Sequence, residues 1–317
     1  WYENNGAATW TPAFTAADIT TSADGVRGVY VADLDGDGDV DIVSADQNNV
    51  TWYENDGAAN PSWTATNIAT DLYNGKIVHI ADLDGDGDLD IVSTSWSNTT
   101  VSWHENDGNA DPSWTAHDIT TSASGPWGAY VGDMDGDGDL DIVVACYFDK
   151  DITWYENDGA ADPSWTSHIA FEANRTMYQG PYDVKLADID SDGDLDIVES
   201  NLNAGSQGYI KWHENDGNAN PSFTRNSIYD WSNYAVAGWG RPRRIYIGDM
   251  DGDGDLDIAS TLVENINDES IFWHENNGAA NPSWSTAAIA TSAYGATDVH
   301  LADMDSDGDL DIVSASS

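Results

Sequence analysis

Six times the chain repeats nearly the same nine residues, an Asp at every odd position of a Gly-rich loop. The first copy is D-L-D-G-D-G-D-V-D, with Asp33, Asp35, Asp37, Asp39 and Asp41. The second places Asp82, Asp84, Asp86, Asp88 and Asp90 in the same register, the third Asp133, Asp135, Asp137, Asp139 and Asp141. The fourth has Asp188, Asp190, Asp192, Asp194 and Asp196, the fifth Asp249, Asp251, Asp253, Asp255 and Asp257, the sixth Asp303, Asp305, Asp307, Asp309 and Asp311. Carboxylates crowded in this way repel one another at neutral pH unless a cation sits among them. The motif therefore implies a bound metal, and its repetition implies a modular fold.

The first Asp residues are spaced 49, 51, 55, 61 and 54 apart. A second landmark, W-[YH]-E-N, begins at Trp1, Trp52, Trp103, Trp154, Trp212 and Trp273. A third is a P-S-W turn at Pro61–Trp63, Pro112–Trp114, Pro163–Trp165 and Pro282–Trp284, with Phe223 and Trp10 as variants. Periods near 50 residues point to propeller blades. Each unit holds four short strands: an apolar one running into the Asp loop (Val29–Ala32), L-D-I-V-S leaving it, Thr51–Asn55, and Trp63–Ala69 after the D-G-A-A-N-P-S turn. Gly, Asn and Pro punctuate every junction, and no segment has a long helical period. The expected fold is all-β: one domain over 1–317, a six-bladed β-propeller with four antiparallel strands per blade.

The chain opens with strands three and four of a unit and closes with strands one and two. The last blade is thus expected to be completed by the N-terminal strands or by a neighbouring chain. Only six residues follow Asp311, so the sequence looks cut within a strand-two-to-three loop, as from a longer array. It begins on Trp1 without an initiator Met, as an excised or mature exported segment would.

A formal charge of −47 argues against nucleic acid and anionic membrane surfaces as partners. No apolar run approaches the roughly 18 residues of a membrane span, so no membrane insertion is expected. A single cysteine, Cys146, excludes an internal disulfide framework. Multi-carboxylate calcium sites that are weak fill reliably only at millimolar calcium, which favours an extracellular or cell-surface location.

Each loop has the logic of a short EF-hand. Side chains at positions 1, 3 and 5 converge on a cation, the carbonyl at position 7 adds a ligand, position 9 closes the shell, and Gly at position 6 allows the turn. Hard oxygen donors in this number suit Ca2+, one ion per loop and six in all. The pattern D-x-D-x-D-G-x-x-D between two apolar strands resembles the FG-GAP, or VCBS-type, repeats of integrin α-subunit propellers. It is similar also to repeats of bacterial surface proteins and of a group of fungal lectins. The resemblance implies a calcium-stabilised propeller. W-[YH]-E-N stands in place of the F-G…G-A-P signature, so the integrin ligand assignment is not carried over.

Eleven of the 15 tryptophans recur in register and are expected to pack blade against blade. Trp96, Trp127, Trp231 and Trp239 fall outside the register and are ligand candidates. His104, His213 and His274 replace Tyr in W-[YH]-E-N, and His79 and His300 share an inner-strand position with Tyr30, Tyr130 and Tyr246; both sets are expected to be structural. The Glu and Asn of W-[YH]-E-N are expected to bond backbone at the strand end. Six residues before each loop stand Arg27, Lys76, Trp127, Tyr182, Arg243 and Thr297. Antiparallel alternation puts these on the face opposite the Asp loops, with the length-variable connections. The recognition site is therefore placed at Arg27, Lys76, Trp96, Trp127, Tyr182, Trp231, Trp239 and Arg243.

Three functions fit this pattern. The first is a secreted, calcium-dependent binding or adhesion module for glycan or a surface protein. The second is a structural subunit polymerising through terminal half-blades into a filament or surface layer. The third is a polysaccharide lyase in which Tyr182, Arg243 or a His abstracts a proton beside an arginine-neutralised uronate. No nucleophile elbow, zinc spacing or phosphate-binding glycine loop is present, and a non-enzymatic role ranks first.

Overall fold

A computed structural model of the protein describes residues 2–4, 14–172, 180–201, 208–230, 241–265, 268–290, 296–305 and 307–316. Every regular element among them is a strand, and no helix long and apolar enough to cross a membrane is present. Five four-stranded antiparallel sheets follow one another along the chain, each in the order of its sequence. Blade I comprises Gly28–Ala32, Asp41–Ala45, Val50–Asn55 and Trp63–Ala69. Blade II runs from Gly75–Ala81 to Trp114–Thr120, blade III from Pro126–Gly132 to Trp165–Glu172, blade IV from Pro181–Ala187 to Phe223–Asp230, and blade V from Arg241–Gly248 to Trp284–Ala290.

The sixth unit departs from the expectation. Ala296–Ala302 pairs with Asp311–Ser316, and Tyr2–Asn4 pairs with Phe14–Ala16, as two separate two-stranded sheets. Among the described residues the composite blade is present as its halves and not as one joined sheet.

The apolar core lies between blades. Trp52 of blade I packs with Val78, Ile80 and Ile91 of blade II, and Trp114 of blade II closes the contact edge-on at 6.4 Å between ring centroids. The same arrangement recurs with Trp103 and Trp165, Trp154 and Phe223, and Trp212 and Trp284. In each case the W-[YH]-E-N tryptophan of one blade is covered by the P-S-W aromatic of the next, as its register predicts. His104 and His274 are buried and meet Ser93 and Ser260 at 2.9 Å. The first strands line the axis, and successive ones touch from blade I to the sixth unit.

The contact from the sixth unit back to blade I is different. Val29 and Val31 are 58 % and 54 % exposed, while Val78 and Ile80, at the same positions in blade II, are 1 % and 7 % exposed. On the opposite wall Val313 is 42 % exposed, where Val43 and Val92 are fully buried. Among the described residues nothing buries these three valines at the seam.

The asparagines of W-[YH]-E-N act as clamps between blades. Asn157 Nδ2 donates to the Leu140 carbonyl of its own blade at 3.1 Å and to the Leu83 carbonyl of the preceding blade at 2.8 Å. Asn106, Asn215 and Asn276 repeat this with Leu34, Met134 and Ile189. Asn55, at the seam, donates to Val40 of its own blade. The glutamates behave otherwise than expected: Glu105 and Glu156 meet His117 and His168, and Glu214 and Glu275 accept from Asn226 and Ser285. Their partners are thus side chains of the fourth strand, not backbone, because antiparallel pairing sets those residues beside them.

A net hydrogen bond contributes about 1 kcal/mol, and a buried carbonyl left unpaired costs more. Asn157→Ala is therefore expected to lower unfolding stability by about 2–4 kcal/mol, and Asn55→Ala by about 1 kcal/mol. Urea denaturation measures both, and equal losses would remove the interblade role.

Candidate metal loops and recognition face

Within each loop the backbone folds around its own carboxylates. The Gly at position 6 donates to the position 1 side chain, as Gly38 does to Asp33 at 3.0 Å and Gly138 to Asp133 at 3.1 Å. This turn needs a left-handed residue: Gly38 has φ 97° and Gly138 φ 100°. Position 9 is buried in the first five loops and ties the start of the loop to the end of the third strand. Asp141 accepts from the Met134 amide at 2.9 Å through one oxygen and from the Asn157 amide at 2.8 Å through the other. The indole N–H of Trp52, Trp103 and Trp273 is directed at Asp41, Asp90 and Asp257, near enough to favour their charge but short of full hydrogen-bond geometry.

Carboxylate oxygens of Asp33, Asp35 and Asp37 lie within 4.8 Å of one another, as do those of Asp82, Asp84 and Asp86 and of Asp249, Asp251 and Asp253. In the third and fourth loops the set is Asp133, Asp135 and Asp141, and Asp188, Asp190 and Asp196. The position 7 side chains turn elsewhere. Asp39 lies against Gly57, where a Cβ would come 2.0 Å from its Oδ2, and Asp139 lies likewise against Gly159. That leaves position 7 its carbonyl as a donor, as the loop logic expects.

These residues suit a hard divalent cation. Oδ1 of Asp33 and of Asp190 is buried and accepts no hydrogen bond. Burial pushes the carboxyls of Asp90, Asp141 and Asp196 up to about 7. It also raises Asp35, Asp84 and Asp135, and the neighbouring aspartates add to the rise. A cation supplies both the missing partner and the missing countercharge.

The opposite face gathers much of the predicted recognition set. Six residues of strand separate it from the loops, about 20 Å. Lys76 Nζ lies 4.3 Å from the Trp127 ring centroid and 5.2 Å from that of Trp96. Trp127 stacks toward Tyr182 at 4.4 Å and meets Trp96 edge-on at 4.6 Å. Arg244 lies 5.7 Å over Tyr182, and the charge of Arg243 acts on the same phenol. Arg27 is exposed at the axial rim.

Lys76 requires a correction. It is buried, with Nζ donating to Asn74 Oδ1 at 2.8 Å, so it supports the aromatic cluster from beneath and does not itself present a charge. Burial first, then Arg27 and Arg244, pulls its pKa down to about 8. Trp231 and Trp239 lie outside the described residues.

Tyr147 and Phe148, not singled out in the sequence, complete the cluster, with Phe148 4.7 Å from Trp96 and 57 % exposed. Gly125 makes room for them: a Cβ there would fall 2.7 Å from the Phe148 ring. Tyr73, also exposed, is held at φ 42°, a strained conformation for a bulky residue.

Stripping the metal should expose the cost of these carboxyls. A carboxyl whose folded pKa is raised stabilises the fold fully below its unfolded pKa, about 3.9, and loses that contribution as pH rises through the folded value. The metal-free protein is therefore expected to lose stability between about pH 4 and pH 8, whereas the loaded protein keeps it. The Tm gap between calcium-loaded and chelated protein should widen with pH. Equal Tm values at pH 8 would remove the metal from the account.

A protein from Lactobacillus plantarum has a similar structure at a TM-score of 0.56 and 14 % identity, over 88 % of this chain and 75 % of that one. At that identity the likeness is one of fold alone. The Vibrio cholerae biofilm matrix protein Bap1 matches with a TM-score of 0.41 and 16 % identity, over 83 % of this chain and 39 % of that one. No curated protein matches the chain. The model of the FG-GAP-like repeat matches residues 1–44, 33–93, 82–144, 134–199 and 249–314. With those matches spanning most of its length, and with an Asp loop in every one, the chain belongs to the FG-GAP-like repeat family.

Proposed function

We propose that this propeller is a secreted, calcium-loaded binding module, with one Ca2+ in each of six loops, that recognises glycan or another surface component through the face remote from the metal. The observation that carries this reading is the partly exposed aromatic cluster of Trp96, Trp127, Tyr147 and Phe148 built over the buried Lys76. Flat aromatic surface supplies contact area at low conformational cost, and a buried cation beneath it fixes the rings before a ligand arrives. Arg27 lies beyond the same rim and adds positive charge in an otherwise acidic molecule.

Binding is favoured over proton abstraction by the state of Tyr182. Burial pushes its phenol up, and the nearby arginines only partly oppose that, whereas a catalytic base needs a pKa near the working pH. A second reading, assembly of copies into a polymer, draws support from the uncovered seam at Val29, Val31 and Val313. Light scattering on the eluting protein separates the two, since a polymer gives mass that rises with concentration.

Glycan-array and cell-binding measurements test the first reading. Trp127→Ala and Phe148→Ala are each expected to weaken binding about tenfold or more, as for aromatic anchors generally. Phe148→Ala, at an exposed ring, should leave Tm nearly unchanged. Retained binding in both variants would move recognition elsewhere.

A further inference from the structure

The first strands of all six units wall a cavity of about 500 Å3 on the propeller axis. Small-molecule sites commonly enclose roughly 300–1,000 Å3. One residue per unit, three before the first loop Asp, stands in this wall: Tyr30, His79, Tyr130, Lys185, Tyr246 and His300. Neighbouring rings touch, Tyr30 with His79 at 4.9 Å, His79 with Tyr130 at 4.6 Å, and Tyr246 with His300 at 4.3 Å between centroids.

Packing accounts for the rings but not for their polar atoms. The hydroxyls of Tyr30, Tyr130 and Tyr246 bond no described residue. Burial raises all three phenols, and Tyr30 and Tyr130 rise further through Tyr246, so each remains a hydroxyl facing a shared space. Both ring nitrogens of His79 are buried and neither makes a full hydrogen bond, although the Ile80 backbone lies near enough to act on the ring. Burial, with a contribution from Lys185, pulls this imidazole down to about 4, so it stays neutral and carries one donor and one acceptor. An unpaired buried polar group costs about 1–3 kcal/mol, and the two His79 nitrogens bear that cost beside the three half-buried hydroxyls.

The chemistry of the missing partner follows. Asp183 takes Arg244 at 3.2 Å and Lys185 at 3.7 Å, and Asp298 acts on Arg244 as well, so most of the charge on the wall is offset within the protein and the exposed Arg27 at the rim is the remainder. An anion satisfies donors alone and a cation acceptors alone, whereas a hydroxyl satisfies both. Aromatic faces between these groups suit the apolar face of a sugar ring.

We infer that the axial cavity binds a polyhydroxylated ring of monosaccharide size, its hydroxyls bonded by Tyr30, Tyr130 and Tyr246, with the His79 ring turning slightly to join them. This site is distinct from the aromatic cluster around Trp127 and does not depend on it.

Ligand-observed NMR and calorimetry on the calcium-loaded chain test the inference, with methyl glycosides of glucose, galactose, mannose and N-acetylglucosamine as probes. At least one is expected to bind with Kd below about 10 mM. The triple variant Tyr30→Phe, Tyr130→Phe and Tyr246→Phe keeps the rings and removes the hydroxyls, and should weaken that binding about tenfold or more. His79→Phe should weaken it too while holding or raising Tm, since it removes two unpaired nitrogens. Failure of every probe to bind, unchanged affinity in the triple variant, or a large fall in Tm for His79→Phe would each overturn the inference.

Discussion

The structure depends on a buried carboxylate at the ninth position of each of the first five loops. Asp141 shows how: one oxygen holds the start of its own loop and the other holds the end of the third strand. A carboxyl so placed is expensive to ionise, and burial alone drives it toward protonation. A cation in the loop would reverse that preference. Cation binding would then be coupled to the same carboxyl that joins the loop to the sheet, and through Asn157 to the neighbouring blade.

Much of this was legible in the sequence because the groups concerned lie close along the chain. All donors of a loop fall within nine residues, so their spacing discloses a metal site without knowledge of the fold. The register of Trp52 and Trp114 likewise disclosed blade-to-blade packing. Contacts between distant residues were not legible. The Asn157 bond to Leu83 joins residues 74 apart, and nothing local marks it. Glu199 is another case: it is fully buried, with His213 at 3.2 Å and Arg225 at 2.7 Å, partners supplied by the third and fourth strands.

The cluster on the face opposite the loops was half legible for a similar reason. Lys76, Trp127 and Tyr182 share one offset from the loops of successive blades, so the repeat itself brings them side by side. Tyr147 and Phe148 sit in a connection that no other unit copies, and their place beside Trp96 depends on how that loop folds. The register of His79 with Tyr30 and Tyr130 reads as structural. That register places the ring correctly, but it carries no information about whether the nitrogens find partners.

The asparagine clamps have a direction. Each reaches from its blade to the carbonyl in the loop before it, from Asn276 to Ile189 and from Asn215 to Met134, and so back to Leu34. A loop that relaxes slackens the strand end that carries its own clamp, and this loosens the loop one step toward the N-terminus. Disturbance therefore travels as in a zip opened from one end, and stronger cation binding at one blade firms up the blade behind it. Among the described residues the run ends at blade I, where the Asn55 side-chain amide donates to Val40 of its own blade. The ring is in this respect a polar lattice, with a leading and a trailing end, even though its blades are nearly alike.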